Sequence, residues 1–140
     1  IEIYGEGQEH QNLQQAINHY QLNDLMTIHP ATQQLNEKLA QSLITVVPSR
    51  NEGFGMIILE AMAQDNIVIS FKDTLGPSQL IQHNKNGYLA DYVNAKSLAK
   101  YIDLAIQKRQ HSENMVKASH GTLENYSPDK IYNYFYSIFK

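Results

Sequence analysis

Ser49-Arg50-Asn51-Glu52-Gly53-Phe54-Gly55-Met56-Ile57-Ile58-Leu59-Glu60-Ala61-Met62-Ala63 directly follows the apolar, β-branched run Leu43-Ile44-Thr45-Val46-Val47, which Pro48 closes. That run has the composition of a strand buried on both faces, as in a parallel sheet. After the Gly-Phe-Gly turn, the next apolar stretch reads as a helix with a glycine-rich start. The first N–H groups of such a helix have no intrahelical acceptor and carry the positive end of the helix dipole, a natural seat for a diphosphate. Glu52 and Glu60 bracket this start, eight residues apart. Eight helical residues advance roughly 12 Å at about 1.5 Å each. A nucleotide-sugar spreads its sugar, diphosphate and ribose over a comparable span.

Working outward, strand and helix signals alternate. Ile1 to Tyr4 reads as a short strand closed by Gly5-Glu6-Gly7, and Leu13, Ala16, Ile17 and Tyr20 recur at helical spacing. Leu25 to Ile28 reads as a strand broken by Pro30, and Thr32 can cap a helix carrying Leu35 and Leu39. Ile67 to Phe71 is a second doubly buried strand. Lys72 to Pro77 reads as a loop, with a short helix starting at Ser78. Asn86-Gly87 turns into the strand Tyr88-Leu89. Asn94 caps a helix with Leu98, Ile102, Ala105 and Ile106 inward. Ser112 caps another holding Met115, Val116 and Leu123, and Ser127-Pro128 starts the last, with Ile131, Tyr134, Phe135 and Ile138 inward. The pattern predicts an α/β fold: an open parallel, Rossmann-like sheet flanked by helices, over residues 1–140, with the helices of 94–140 part of it. Ligands of such sheets bind beyond the carboxyl ends of the strands. Gly5 to Gly7, Pro48 to Gly55 and Lys72 to Pro77 all fall at such ends.

The 140 residues suffice for a core, and the net charge of −3, without a Lys/Arg stripe, argues against a general nucleic-acid binder. Cysteine is absent, which removes disulfides, thiolate metal sites and a Cys nucleophile and fits a reducing compartment. No apolar run approaches the roughly 20 residues that span a bilayer. A chain that opens inside a strand without an initiator Met reads as excised from a longer protein. The six histidines form no HxxxH pair or cluster with carboxylates, so scattered surface histidines are the expectation and no metal site.

Gly5-x-Gly7 fits half of a dinucleotide fingerprint, but the third glycine is missing, and a plain strand-to-helix turn fits equally. Glu52 and Glu60 taken singly fit solvated carboxylates. Glu60, however, lies in a segment almost devoid of charge, where a carboxylate is costly to bury without partners. Ribose hydroxyls would be suitable donors to it. Arg50 and Lys72 flank the pocket and fit phosphate contacts or plain surface charge. Four of the nine tyrosines lie between Tyr126 and Tyr136, at a spacing that favours an aromatic core face over a base-stacking platform.

Ser49 to Ala63 resembles the Glu-x7-Glu motif of retaining glycosyltransferases of the large GT4-type family, glycosyl transferases group 1, which have the GT-B fold. Ile3 to Gly7 resembles the family's strand-glycine entry, and Leu43 to Ser49 its strand ending in Pro-Ser. Gly76 to Ile81 and Asn86 to Leu89 resemble its later Gly-Pro-Ser and Asn-Gly-Tyr-Leu segment. The resemblance implies that this is a C-terminal, donor-binding domain. Glu52 would bind the donor sugar and place its anomeric centre, as the catalytic residue. The N–H groups of Gly53, Phe54 and Gly55 would hold the distal phosphate and sugar, and Glu60 the ribose. Gly5 and Gly7 would let the protein backbone approach the nucleotide, with Arg50, Gly76 and Pro77 in a donor loop. The family transfers sugar from a nucleotide donor, here a UDP-sugar by expectation, without a required metal or other cofactor. Same-face attack as the diphosphate leaves would rest on positioning and charge stabilisation.

Three departures stand out. Gln79 replaces a frequent Glu. Asp65-Asn66-Ile67 replaces Gly-x-Pro, with Asp or Asn still able to supply a left-handed cap. The family's diphosphate-neutralising Arg and Lys lie upstream of this sequence, as does the domain that supplies the acceptor site. The fragment is therefore expected to be inactive alone, with a polysaccharide, teichoic-acid-like, lipid-linked or protein acceptor reached through the other domain. A cytoplasmic site, with peripheral contact at the inner membrane face, is the matching expectation. The rival readings are a non-catalytic GT-B-like module that binds a partner subunit, and a sugar-nucleotide epimerase.

Overall fold

The computed structural model describes residues 1–139. Its elements run β1 (Glu2–Tyr4), α1 (His10–His19), β2 (Thr27–His29), α2 (Leu35–Ala40), β3 (Ile44–Val47), α3 (Met56–Ala63), β4 (Ile67–Phe71), α4 (Leu75–Leu80), β5 (Tyr88–Ala90), α5 (Ala95–Lys108), α6 (Glu113–Leu123) and α7 (Pro128–Ile138). Two short 3₁₀ turns, Arg109–His111 and Glu124–Tyr126, flank α6. All strand pairs are parallel. The strands form two ladders, β1-β2 and β3-β4-β5, where the alternation of elements alone predicts one sheet. The chain divides into two compact units, Ile1–Leu35 and Asn36–Lys140.

In the smaller unit, β1 and β2 pair in register Tyr4↔His29. The two rings stack with centroids 4.8 Å apart. The Glu2 carboxylate accepts from the Tyr4 hydroxyl at 3.1 Å and lies 2.5 Å from His29 Nε2. The hydroxyl first, and then the imidazole, hold the Glu2 carboxyl below its usual range. Ile17 of α1 is the buried anchor, while Leu13 and Tyr20 of the same predicted stripe are exposed.

In the larger unit, β4 is the central strand and all five of its residues are buried. Side chains alternate between faces along a strand. Ile67 and Ile69 form a cluster with Tyr88 and Ala105, which Leu98, Tyr101 and Ile102 of α5 and Met115 of α6 cover. Val68 and Ser70 point to the opposite face, and α3 packs there with Ile58, Ala61 and Met62 fully buried. The predicted inward Ile106 is instead 44 % exposed.

Buried polar groups in this unit are paired. Ser70 Oγ donates to the Val47 carbonyl, and Asn66 donates to the Leu39 and Gln64 carbonyls while accepting from Thr45. Asn86 accepts from Gln82 N–H and donates to the Leu80 carbonyl and Thr122 Oγ1, so one amide ties the turn before β5 to α6. Asp65, at φ 60°, supplies the left-handed residue expected after α3, and His120 Nε2 lies 2.6 Å from its carboxylate.

Asn94 and Ser127 cap α5 and α7 as predicted, each accepting from the N–H three residues on. Ser112 precedes α6 but does not cap it, because its hydroxyl donates back to the Arg109 carbonyl. The helix predicted from Ser78 begins at Leu75, and so takes in Gly76 and Pro77, a proline being tolerated in a first turn. The predicted core face of α7 is not buried: Ile131, Tyr134, Phe135 and Ile138 are between 44 % and 68 % exposed. Periodicity defines an apolar stripe but does not supply the surface that covers it.

Asn86→Ala strands a partly buried N–H and a buried carbonyl, so it is expected to lower unfolding free energy by about 1–3 kcal/mol, read from the urea midpoint. A midpoint equal to wild type would show that water replaces the amide there.

Candidate donor site

The loop between β3 and α3 carries most of the residues singled out from sequence. Gly55 stands before α3 at φ 88°, a conformation that glycine adopts without strain. A Cβ there would also press on Ile58 Cδ1 at 3.0 Å. Ile58 N–H donates to the Gly55 carbonyl, closing the first turn. Among the described residues, the N–H groups of Gly53, Phe54 and Gly55 donate to no protein acceptor. Three successive unpaired donors therefore lie at the positive end of a helix, an arrangement suited to an anion.

Glu52 and Glu60 are both half-buried. Neither carboxylate has a hydrogen-bond or ion-pair partner among the described residues. Acceptors held partly out of water and left without protein donors are open to hydroxyl groups of a ligand. Glu52 Cγ lies 3.5 Å from the position a Gly55 Cβ would take, so the first acid folds back beside the start of the helix.

A second loop clamps the first. Gly76 N–H donates to the Glu52 carbonyl at 3.2 Å. A Cβ on Gly76 would meet the Phe54 backbone, with the carbonyl carbon 2.5 Å away. Glycine is required here for close approach and not for a special φ. Gly76 and Pro77 are buried within α4, so they support the loop from behind with no face open to solvent. Arg50 is exposed, and its carbonyl accepts from the Tyr92 hydroxyl at 3.4 Å.

Lys72 is already engaged, with its ammonium 2.8 Å from Asp91. That contact, a hydrogen bond reinforced by charge, lowers the Asp91 carboxyl and raises the Lys72 ammonium from their usual values. Gly5 and Gly7 belong to the smaller unit. Gly5 N–H donates to the His29 carbonyl, and nothing lies within 4 Å of where a Cβ would stand on either glycine. Two clefts of the larger unit lie elsewhere. One, of about 550 Å³, follows α5, and one, of about 180 Å³, sits at the amino ends of β4 and β5. The candidate site is an open rim at the carboxyl end of β3.

Sequence reasoning missed Tyr126 as a neighbour of this loop. Its ring meets Phe54 edge to face, with centroids 5.4 Å apart and planes at 70°. The two residues are 72 positions apart, and no local pattern connects them.

The site is a parallel α/β unit with a glycine-started helix whose first turn lies between two acids, and the comparisons give its family. The chain belongs to glycosyl transferases group 1, matched over residues 1–121. It is 29 % identical over 131 residues to an uncharacterized glycosyltransferase of Haemophilus influenzae, covering 94 % of this chain and 37 % of that protein. It is 30 % identical over 138 residues to the poly(ribitol-phosphate) alpha-N-acetylglucosaminyltransferase of Staphylococcus aureus, covering 98 % of this chain and 28 % of that protein. The crystal structure of a variant of S. aureus TarM in complex with fondaparinux, alpha-GlcNAc-glycerol and UDP superposes with a TM-score of 0.88 at 28 % identity, covering 99 % of this chain and 28 % of that one. The solved structures it resembles are GT-B glycosyltransferases, and it corresponds to their C-terminal domain. It spans well under half the length of these relatives.

Gly76→Ala is expected to push the Phe54 backbone aside, costing about 1–3 kcal/mol and moving the amide resonances of Gly53 and Gly55. Unmoved resonances would mean that the contact is slack. Lys72→Ala should raise the Asp91 midpoint towards the free range of about 3.9, followed by carboxyl NMR. Because the Asp91 carboxyl is depressed in the folded state, its contribution to stability is present above the unfolded value and is lost as pH falls through the folded one.

Proposed function

We propose that this chain is the donor-binding part of a retaining, GT4-type glycosyltransferase. The enzyme would transfer a hexosyl or N-acetylhexosaminyl group from a UDP-sugar to a polymer, lipid-linked glycan or protein acceptor. The observation that carries the reading is the pair of half-buried, unpartnered carboxylates Glu52 and Glu60, with the unpaired N–H groups of Gly53 to Gly55 between them. The matched family and the UDP complex of a 28 % identical relative support it.

In this reading the loop N–H groups hold the distal phosphate, where negative charge grows as the sugar C1–O bond breaks. Glu60 accepts from ribose hydroxyls. Glu52 accepts from sugar hydroxyls and orients the anomeric carbon for attack by the acceptor oxygen on the face the diphosphate leaves. The acceptor proton passes to the departing phosphate oxygen. No step calls on a metal. Arg50 is a cation of the same loop with no ion-pair partner among the described residues. The acceptor surface and further diphosphate-binding cations belong to the remainder of the longer enzyme, so the 140-residue chain binds donor without turning it over.

Titrating the chain with UDP, GDP and ADP while following amide shifts tests this directly. The expected result is a UDP response centred on Gly53 to Gly55 and Glu60. Glu60→Ala should weaken UDP binding by about ten- to hundredfold, the worth of a charge-assisted hydrogen bond. Glu52→Ala should leave UDP affinity intact and weaken the UDP-sugar. Silence at these amides with every nucleotide at millimolar concentration would favour a partner-binding module, and sugar transfer by the 140-residue chain would refute the division of labour.

A further inference from the structure

The donor loop is gripped at Phe54 from two directions. Its backbone is seated against Gly76, and its ring meets Tyr126. Resting on the nucleotide-sugar reading above, we propose that Tyr126 is a positioning residue for the donor. By fixing the Phe54 ring it holds the N–H groups of Gly53 to Gly55 in the orientation that receives the diphosphate.

The loop needs such a device. Phe54 is 40 % exposed, so burial in the core does not fix its ring. Glycines flank it on both sides, and a Cβ on Gly53 would meet nothing within 4 Å. Glycine loses more backbone freedom on ordering than any other residue. A loop of this composition would spend affinity on becoming ordered each time a ligand arrives, unless something orders it beforehand. Gly76 constrains the Phe54 carbonyl and so one end of the peptide plane. The edge-to-face contact with Tyr126 constrains the side chain. Together they fix the residue in the middle of the three donors.

Tyr126 is itself well placed to serve as an anchor. It ends the 3₁₀ turn Glu124–Tyr126, which joins α6 to α7, and it is half-buried. Its hydroxyl has no hydrogen-bond partner among the described residues, so the contact rests on the ring alone. It also lies beyond residues 1–121, the part matched to the family, so this support comes from a stretch of chain that the family match does not describe.

The test compares Tyr126→Phe, Tyr126→Leu and Tyr126→Ala in the 140-residue chain. Tyr126→Phe keeps the ring and should match wild type. Tyr126→Leu and Tyr126→Ala should lower the backbone order parameters of Gly53, Phe54 and Gly55 in the free protein, while those of β4 and α3 stay unchanged. The same two variants should weaken UDP binding by about two- to tenfold, the range of an aromatic pair. Should Tyr126→Ala fail to fold, Tyr126→Leu against Tyr126→Phe carries the comparison. Unchanged order parameters in the Leu variant, or equal losses in the Phe variant, would overturn the proposal. A loosened loop in a chain whose wild type ignores UDP would separate the two ideas: Tyr126 would then position the loop, and the donor reading would fall.

Discussion

The larger unit depends on β4 having no wet face. Every side chain from Ile67 to Phe71 is buried, so neighbouring strands must pair with it on both edges and helices must cover both faces. A dry strand also imposes a strict rule on polar groups. Ser70 is accepted because its hydroxyl reaches the Val47 carbonyl, and Asn66, just before the strand, because its amide is fully used. Gly87 serves the same strand from the next turn, where a Cβ would stand 2.7 Å from the Val68 carbonyl oxygen. The parallel arrangement then sends β3 and β4 out at the same end, which brings the Glu52 loop and the α4 loop together. The site follows from how the core is kept dry.

The two loops meet through backbone. Gly76 touches the peptide of Phe54 and the carbonyl of Glu52, so this part of the loop's shape is held by atoms present in every residue, and the ring contact with Tyr126 adds to it. Both acids stay without protein partners among the described residues, and both lie on a framework that does not rely on them. Lys72 illustrates the opposite case. Its charge is taken up by Asp91, which leaves Arg50 as a cation of the loop without an ion-pair partner among the described residues.

The parts legible in the sequence are those governed by near neighbours. The β-branched runs before Pro48 and after Asn66 gave away β3 and β4, Gly55 marked the start of α3, and Asn94 and Ser127 were readable as caps because a cap acts three residues away. What stayed hidden depends on distant residues. Gly76-Pro77 looks like a loop because its glycine answers to a peptide 22 positions earlier, not to its own dihedral angles. Asn86 reads as a turn residue, yet it spends its side chain on Leu80, Gln82 and Thr122. The stripe on α7 was correctly seen as a stripe, but whether it is covered depends on surface that these residues do not provide. Of the candidate site, both acids and the glycine turn were visible, and the ring of Tyr126 beside them was not.

Gly76 also bears on which substitutions this loop can accept. Its crowding partner is a peptide group, and a peptide group is the same whatever amino acid carries it. Replacing Phe54 cannot make room, so no compensating change at position 54 can license a side chain at position 76. The two contacts therefore constrain the loop differently: the ring can be traded only for a side chain that still meets Tyr126, whereas the glycine behind it can be traded for nothing.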